Sequence, residues 1–322
     1  MNTALRPMST SQVLDRTFHL YRNNFLLFCG IAALPPALLL VMRLALMIFT
    51  QTRLGEFAGG TYAAIYFGLV FLLGMFLVVV GYAIASGASV YAVSLVHLER
   101  PATIRESYQK VRAILGRILN VVFSVFLRSM GIFILAMLVL FALAVGFAAS
   151  GTRPSPEFAI AAAIIGVGLL IVGGVVALFF YARYSLAVPA CIIENLPARQ
   201  ALHRSTVLTK GSIGRIILIY ILAGIIGAAL TYLLLAPVFI WIGIHAAAGA
   251  SRGQLNQLTT PILLWNHIGE FLARTIAGPI ATIAIALVYY DERIRKEAFD
   301  LQYMMQAIDG AQAQAATTSS AG

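Results

Sequence analysis

The chain has 322 residues, of which 61% are hydrophobic and 11% charged, with a mean hydropathy of +0.91. Charge at less than half the roughly 25% of soluble domains excludes an ordinary water-soluble globule. The net charge of +10 does not point to nucleic acid, because the basic residues are sorted along the chain rather than gathered in one patch.

The first stretch, "LRPMSTSQVLDRTFHLYRNNF", predicts a helix. Ser9 and Gln12 have the spacing of a capping box. Leu14, Phe18, Tyr21 and Phe25 recur at four, three and four residues and so share one face, opposite Asp15, His19 and Arg22. The apolar run that follows holds Pro35, Pro36 and Arg43 and ends in no small-residue cleavage site, so it is read as a retained span rather than a signal peptide.

Six apolar runs exceed the ~18–20 residues that cross a bilayer core: Phe25–Thr50, Tyr62–Leu98, Ile118–Ser150, Phe158–Ile192, Ile216–His245 and Ile262–Tyr290. No barrel-like alternation occurs, and hydrocarbon leaves no water for unpaired backbone, so the runs are helices. Of the 22 Lys and Arg, 15 lie before the first run, in the two long connections and after the last run. The three short connections hold Arg53, Arg153 and Arg252, and the runs themselves hold Arg43, Arg128, Arg183 and Arg274. That bias places both termini and the long connections in the cytoplasm.

Two further amphipathic stretches match the first. Ile104, Tyr108, Val111 and Leu115 repeat the four-three-four spacing, opposite Arg105, Gln109 and Arg112, with Glu106 and Lys110 placed for an i,i+4 pair. In "ENLPARQALHRSTVLTKGSIGRI" the stripe is Ala201, Ser205, Leu208 and Ser212, small enough to predict packing against protein, opposite Arg199, His203, Thr206 and Lys210. Gly116-Arg117-Ile118 matches Gly214-Arg215-Ile216. The expected fold is all-α: one polytopic membrane domain over 1–308, six transmembrane helices with amphipathic cytoplasmic interfacial helices, in three direct units at about 9–98, 103–192 and 198–290. Arg22, Arg105, Arg112, Arg199 and Lys210 are the candidate contacts to anionic lipid headgroups, and protein partners are left open. Ile294, Ala298, Leu301 and Met305 extend the last span, Tyr289 and Tyr290 suit headgroup level, and 309–322 reads as a disordered tail.

Three segments, "LRPMSTSQVLDRTFHLYRNNF", "ALHRSTVLTKGSIGRI" and "ALVYYDERIRKEAFDLQ", carry a resemblance to the membrane domain of glycerophosphoryl diester phosphodiesterases, a domain that also occurs alone in prokaryotes. The resemblance spans residues 5 to 302 and implies the fold and a prokaryotic plasma (inner) membrane. It does not imply the activity. About 30 residues follow the last run, whereas the family's catalytic TIM barrel needs at least ~200.

Chemistry-bearing residues are few. Asn266, His267, Glu270 and Arg274 fall within one stretch of the last run, Glu270 and Arg274 at i,i+4, and Arg128 is a cation inside a run with no partner in that run. This candidate intramembrane polar site is read either as a structural pair or as a ligand- or proton-handling one, and Arg43, Arg128 and Arg183, none with a partner in its own run, are each offered an inter-span partner such as Glu270. Ser89 in "SGASVY" with His267 as base would give an intramembrane hydrolase, but no oxyanion signature accompanies it. The glycines of "GVGLLIVGGVV" lie in a span and read as helix packing. "TKGS" is no phosphate loop, and the five histidines lack metal spacing, so neither cofactor nor metal is expected. Cys29 and Cys191 predict no disulfide framework. Prolines 35, 36, 189, 237 and 279 predict kinks. The favoured reading is a non-catalytic membrane scaffold or lipid- and partner-interacting module; the alternative is a carrier or flippase of a small or amphiphilic solute.

Overall fold

The structure is a computed structural model that describes residues 8–51, 61–150, 155–247 and 259–297. Among these every regular element is an α-helix: α1 Thr10–Asn23, α2 Phe25–Ala32, α3 Leu34–Gln51, α4 Thr61–His97, α5 Ile104–Ala113, α6 Leu115–Ser150, α7 Pro156–Tyr184, α8 Ala187–Ile193, α9 Ala198–Leu208, α10 Ile213–Ala247 and α11 Thr259–Glu297. Four helices are long and apolar enough to cross a membrane, and six runs are if each of two bent helix pairs counts as one. This is consistent with a multi-pass membrane protein. Ala298, Leu301, Met305, the tail and the three arginines of the short connections lie outside the described residues.

Local chemistry sets the helix ends. The Ser9 hydroxyl accepts from the Gln12 amide and the Gln12 side chain accepts from the Ser9 amide, completing the capping box of α1. Thr103 caps α5 through the Glu106 amide. After α9 the chain turns at Gly211, whose φ of +86° suits glycine, which is why "TKGS" ends a helix. The first span breaks at Ala33, where α2 and α3 meet at 44°, immediately before Pro35-Pro36. α5 meets α6 at 82°, so it lies across the start of that span.

α3 packs on α4, α6 on α7 and α10 on α11, with α4 and α11 central. Half of the apolar window of α4 and of α11 is buried, against 11% for α7 and 17% for α10. The outer faces of α7 and α10 present a continuous apolar surface, with Ile171, Val172, Leu233 and Ile244 among their most exposed side chains. In water such a surface would drive association; in hydrocarbon it is ordinary lipid-facing helix. Of the "GVGLLIVGGVV" glycines, Gly173 packs, against Phe133, while Gly168 and Gly174 face open space. Packing therefore accounts for part of that run only. Small residues let helices approach closely elsewhere: an added Cβ would stand 2.7 Å from Leu38 at Gly81, and 3.1 Å from both Val111 and Ile118 at Gly87.

The core gathers at one end of the bundle, here termed the collar, where α1, α5 and α9 pack between the span ends. On α1 the buried residues are Val13, Thr17, Leu20 and Tyr21, while Phe18, and Phe25 at the start of α2, are exposed. The buried stripe is thus rotated by about one residue from the predicted one, because the helix has apolar residues on two adjacent faces and only one fits the bundle. On α5 Ser107, Val111 and the following Ile114 are buried, and on α9 Ala201, Leu202, Ser205 and Leu208. Tyr289 and Tyr290 are also buried rather than exposed at a headgroup layer, since α11 is a central helix. Glu106 does not pair with Lys110; it accepts a hydrogen bond from the Tyr91 hydroxyl at 3.2 Å.

Candidate functional site

Two polar assemblies stand out in a chain this apolar. The first closes the collar. "DERIRKE" at the end of α11 carries Asp291, Glu292 and Glu297, and α9, α10 and the N-terminal segment converge on it. Asp291 is fully buried and accepts from Arg215, from Arg295 Nε at 2.8 Å and from the Met8 amide at 2.5 Å. Arg215 also donates to the Met8 carbonyl at 2.9 Å. The buried charge is therefore paired and hydrogen-bonded on several sides, the condition under which an ion pair survives desolvation.

A second group adjoins it. Arg204 forks between Glu194 and Glu297, with Nε 3.0 Å from Glu194 Oε2 and an Nη donating to Glu297 Oε2 at 2.7 Å. Burial disfavours the guanidinium, but the hydrogen bonds to Glu297 and Glu194 outweigh it and raise its pKa, fixing the charge. Tyr289 donates to Glu194, and Arg293 lies over the Tyr289 ring at 5.8 Å and within 3.3 Å of Glu297. Lys296 bridges Glu292 at 3.2 Å and the Leu208 and Lys210 carbonyls, placing a cation at the C-terminus of α9 and the turn after it.

The amphipathic helices are also tied to carbonyls at the irregular points of the spans. Pro35 has no amide hydrogen to give the Ile31 carbonyl, and the Tyr108 hydroxyl donates to it at 2.8 Å. The Arg183 carbonyl, at the break between α7 and α8, accepts from Ser205 at 2.9 Å and Thr209 at 3.1 Å. The Ile276 carbonyl, three residues before Pro279, accepts from Tyr21 at 2.6 Å. Burial, and next the contact with Cys29, hold the Tyr21 phenol far above its usual pKa, so it retains the proton it donates. Arg117, the counterpart of Arg215, donates at 3.1 Å to both the carbonyl and the side-chain oxygen of Asn195.

The second assembly lies in the other half of the bundle. Glu270 accepts from Arg274 Nε at 2.8 Å and pairs with Arg43 on α3. Glu270 is the most buried member, and the Arg274 side chain is 57% exposed. His267 and Asn266 are half-buried on the same helix, with His267 Nδ1 enclosed and unbonded. Arg128 is not part of this cluster: it donates to the Ser124 carbonyl at 3.2 Å and stands 5.7 Å from the Tyr184 ring centroid. Of the three arginines offered Glu270 as an inter-span partner, Arg43 is the one that pairs with it.

Ser89 and His267 do not meet. The His97 and Tyr290 rings are 5.1 Å apart, which levels the ends of α4 and α11. Ser89 lies eight residues before His97 and His267 lies 23 before Tyr290, an offset of about 22 Å at 1.5 Å per residue. Cys29 and Cys191 are free and buried. Arg22, Arg105, Arg112, Arg199 and Lys210 are all exposed. No protein-family model, curated protein or solved structure matches the chain.

The collar network was not anticipated from the sequence. The signal for it is compositional: "DERIRKE" spends three of only twelve acidic residues beside a run of basic ones, in a region that the charge bias makes basic. Acids there need specific cationic partners, and Arg204 and Arg215 are at hand on the preceding connection.

Proposed function

We propose that the chain is a non-catalytic membrane protein that crosses a prokaryotic plasma membrane six times. Its collar and both termini are cytoplasmic, and the collar serves as a scaffold that engages anionic lipid and a partner at the inner leaflet. The observation that carries this reading is the collar itself. Three amphipathic helices are fastened to the span ends by hydroxyl–carbonyl bonds and ion pairs, while Arg22, Arg105, Arg112, Arg199 and Lys210 stay exposed. A rigid platform with a free basic rim suits binding better than it suits alternating access, which needs elements that move past one another.

The three-unit reading gains support from matched bonds. Tyr108 and Ser205 hold equivalent stripe positions, and each donates to a carbonyl at a break in the preceding unit's span. Arg117 and Arg215 are also equivalent, and each clamps the chain just before an amphipathic helix, α9 in one case and α1 in the other. The resemblance to the stand-alone phosphodiesterase-type membrane domain rests on the three sequence segments alone.

The Arg43–Glu270–Arg274 cluster favours the carrier as a second reading, because ionisable groups within apolar spans mark solute paths. One set of experiments separates the two. Lys110→Cys and Lys210→Cys, in a Cys29→Ser, Cys191→Ser background, should resist an impermeant maleimide in intact cells and react in inverted vesicles. Proteoliposomes should show no transfer of a fluorescent phospholipid between leaflets. Labelling from outside the cell overturns the topology; transfer abolished by Glu270→Gln replaces the scaffold with the carrier.

A further inference from the structure

A groove of about 630 Å³ lies between the α2–α3 pair and the α5–α6 pair. It sits where both pairs bend, at Ala33 and at Ile114, and the bends leave a space that straight helices in contact would close. Ala33, Ala37, Ile84, Tyr108 and Leu115 line it, and every lining residue is apolar or aromatic except Arg112. Its volume falls in the about 300–1,000 Å³ range of small-molecule sites. Tyr108 ties the two walls through the Ile31 carbonyl. Arg112 is exposed and takes part in none of the ion pairs among the described residues.

An apolar slot with one free guanidinium fits a molecule with an apolar chain and one anionic head. A second copy of this chain is a poor occupant, since each carries a net charge of +10 and would bring more cations to the same rim. We infer that the groove binds an anionic phospholipid, one acyl chain lying between α2–α3 and α5–α6 and the phosphate resting on Arg112. The inference rests on the membrane reading above, which puts Arg112 at the level of the inner-leaflet headgroups. Bulk lipid tails are as apolar as the lining, so burying the chain discriminates little between lipids. Selectivity comes from the charge, and one basic side chain near the surface corresponds to a preference of about fivefold.

The test uses the full-length protein in bilayer nanodiscs with phosphatidylglycerol carrying a diazirine in one acyl chain, against the matching phosphatidylcholine probe. After irradiation, adducts are mapped by peptide mass spectrometry. The expected result is adducts concentrated in 30–37 and 108–115, about fivefold stronger for the anionic probe. Arg112→Gln should lower them about fivefold, whereas Arg100→Gln, which removes an exposed charge just before α5, outside both the groove and the basic rim, should not. Ala37→Leu, which fills the slot, should displace the adducts even with Arg112 intact. Equal labelling by both probes, adducts scattered over the spans, an equal loss in Arg100→Gln, or cross-links to a second chain would each overturn the inference. If Lys110→Cys is cytoplasmic and the adducts are absent, the groove assignment alone fails; if Lys110→Cys is external, the membrane reading fails with it.

Discussion

The Tyr108 hydroxyl donates at 2.8 Å to the Ile31 carbonyl, the group that Pro35 leaves without its helical partner. One residue on an amphipathic helix thus repairs the defect that a proline makes in a span. Tyr108→Phe should destabilise the protein by about 0.5–1.5 kcal/mol, the range of a hydrogen bond in a membrane protein. In a Pro35→Ala background, where the amide can close the helix, the same change should cost less. A double-mutant cycle on unfolding in detergent measures the difference, and simple additivity would show that the bond and the break are unrelated.

The helices were legible in the sequence because hydrophobic length and period depend on neighbours along the chain. The apolar run Phe158–Ile192 corresponds to α7 and α8, and Ser9 and Gln12 form their box. What the pattern could not give was rotation. On α1 both Leu14–Phe18 and Val13–Thr17 have helical spacing, and only the bundle chooses the second. Partners across spans were narrowed at most: Glu270 was one option for three arginines and it meets Arg43 over 227 residues, while the Arg215–Asp291 contact over 76 was not foreseen. Periodicity carries no information about such pairs, and the few acidic residues narrow the options without selecting among them.

Asp291 is fully buried, and Arg215 is its contact from α10. Arg215→Met should destabilise the collar by about 2–4 kcal/mol, because it leaves a buried carboxylate held by Arg295 and one amide. Arg215→Lys should recover little, since one ammonium does not reproduce the fork that reaches both Asp291 and the Met8 carbonyl. Faster hydrogen exchange in the Met8–Gln12 segment would accompany either change. An unaltered exchange rate there would separate Arg215 from the anchoring of α1.

Glu99 closes α4 with a φ of 60°, while the Arg100 amide donates to the Leu95 carbonyl at 2.9 Å and the Glu99 amide to Val96 at 3.1 Å. This is the Schellman pattern, with a glutamate where glycine is usual. Glu99→Gly should raise stability by about 0.5–1 kcal/mol by removing the left-handed strain, less the entropy gained by the unfolded chain. A lower melting temperature would mean that the Glu99 side chain makes a contribution larger than its strain.

The Arg43–Glu270–Arg274 cluster carries two positive charges and one negative, so removing different members has unequal consequences. Arg43→Leu leaves a neutral Glu270–Arg274 pair at i,i+4, and its cost should be no more than about 1 kcal/mol. Glu270→Leu leaves two guanidiniums within an apolar region with no counter-ion, each worth ~2.5–3.5 kcal/mol when placed at the centre of a span. Exposure of Arg274 moderates that figure, and a loss of about 2–4 kcal/mol is expected. Combining Glu270→Leu with Arg43→Leu should restore part of the stability, because the second change removes one of the stranded charges. Unfolding of the three proteins in detergent decides the matter: if the double variant is less stable than Glu270→Leu alone, Arg43 contributes through packing or a different partner, and the charge balance does not govern this cluster.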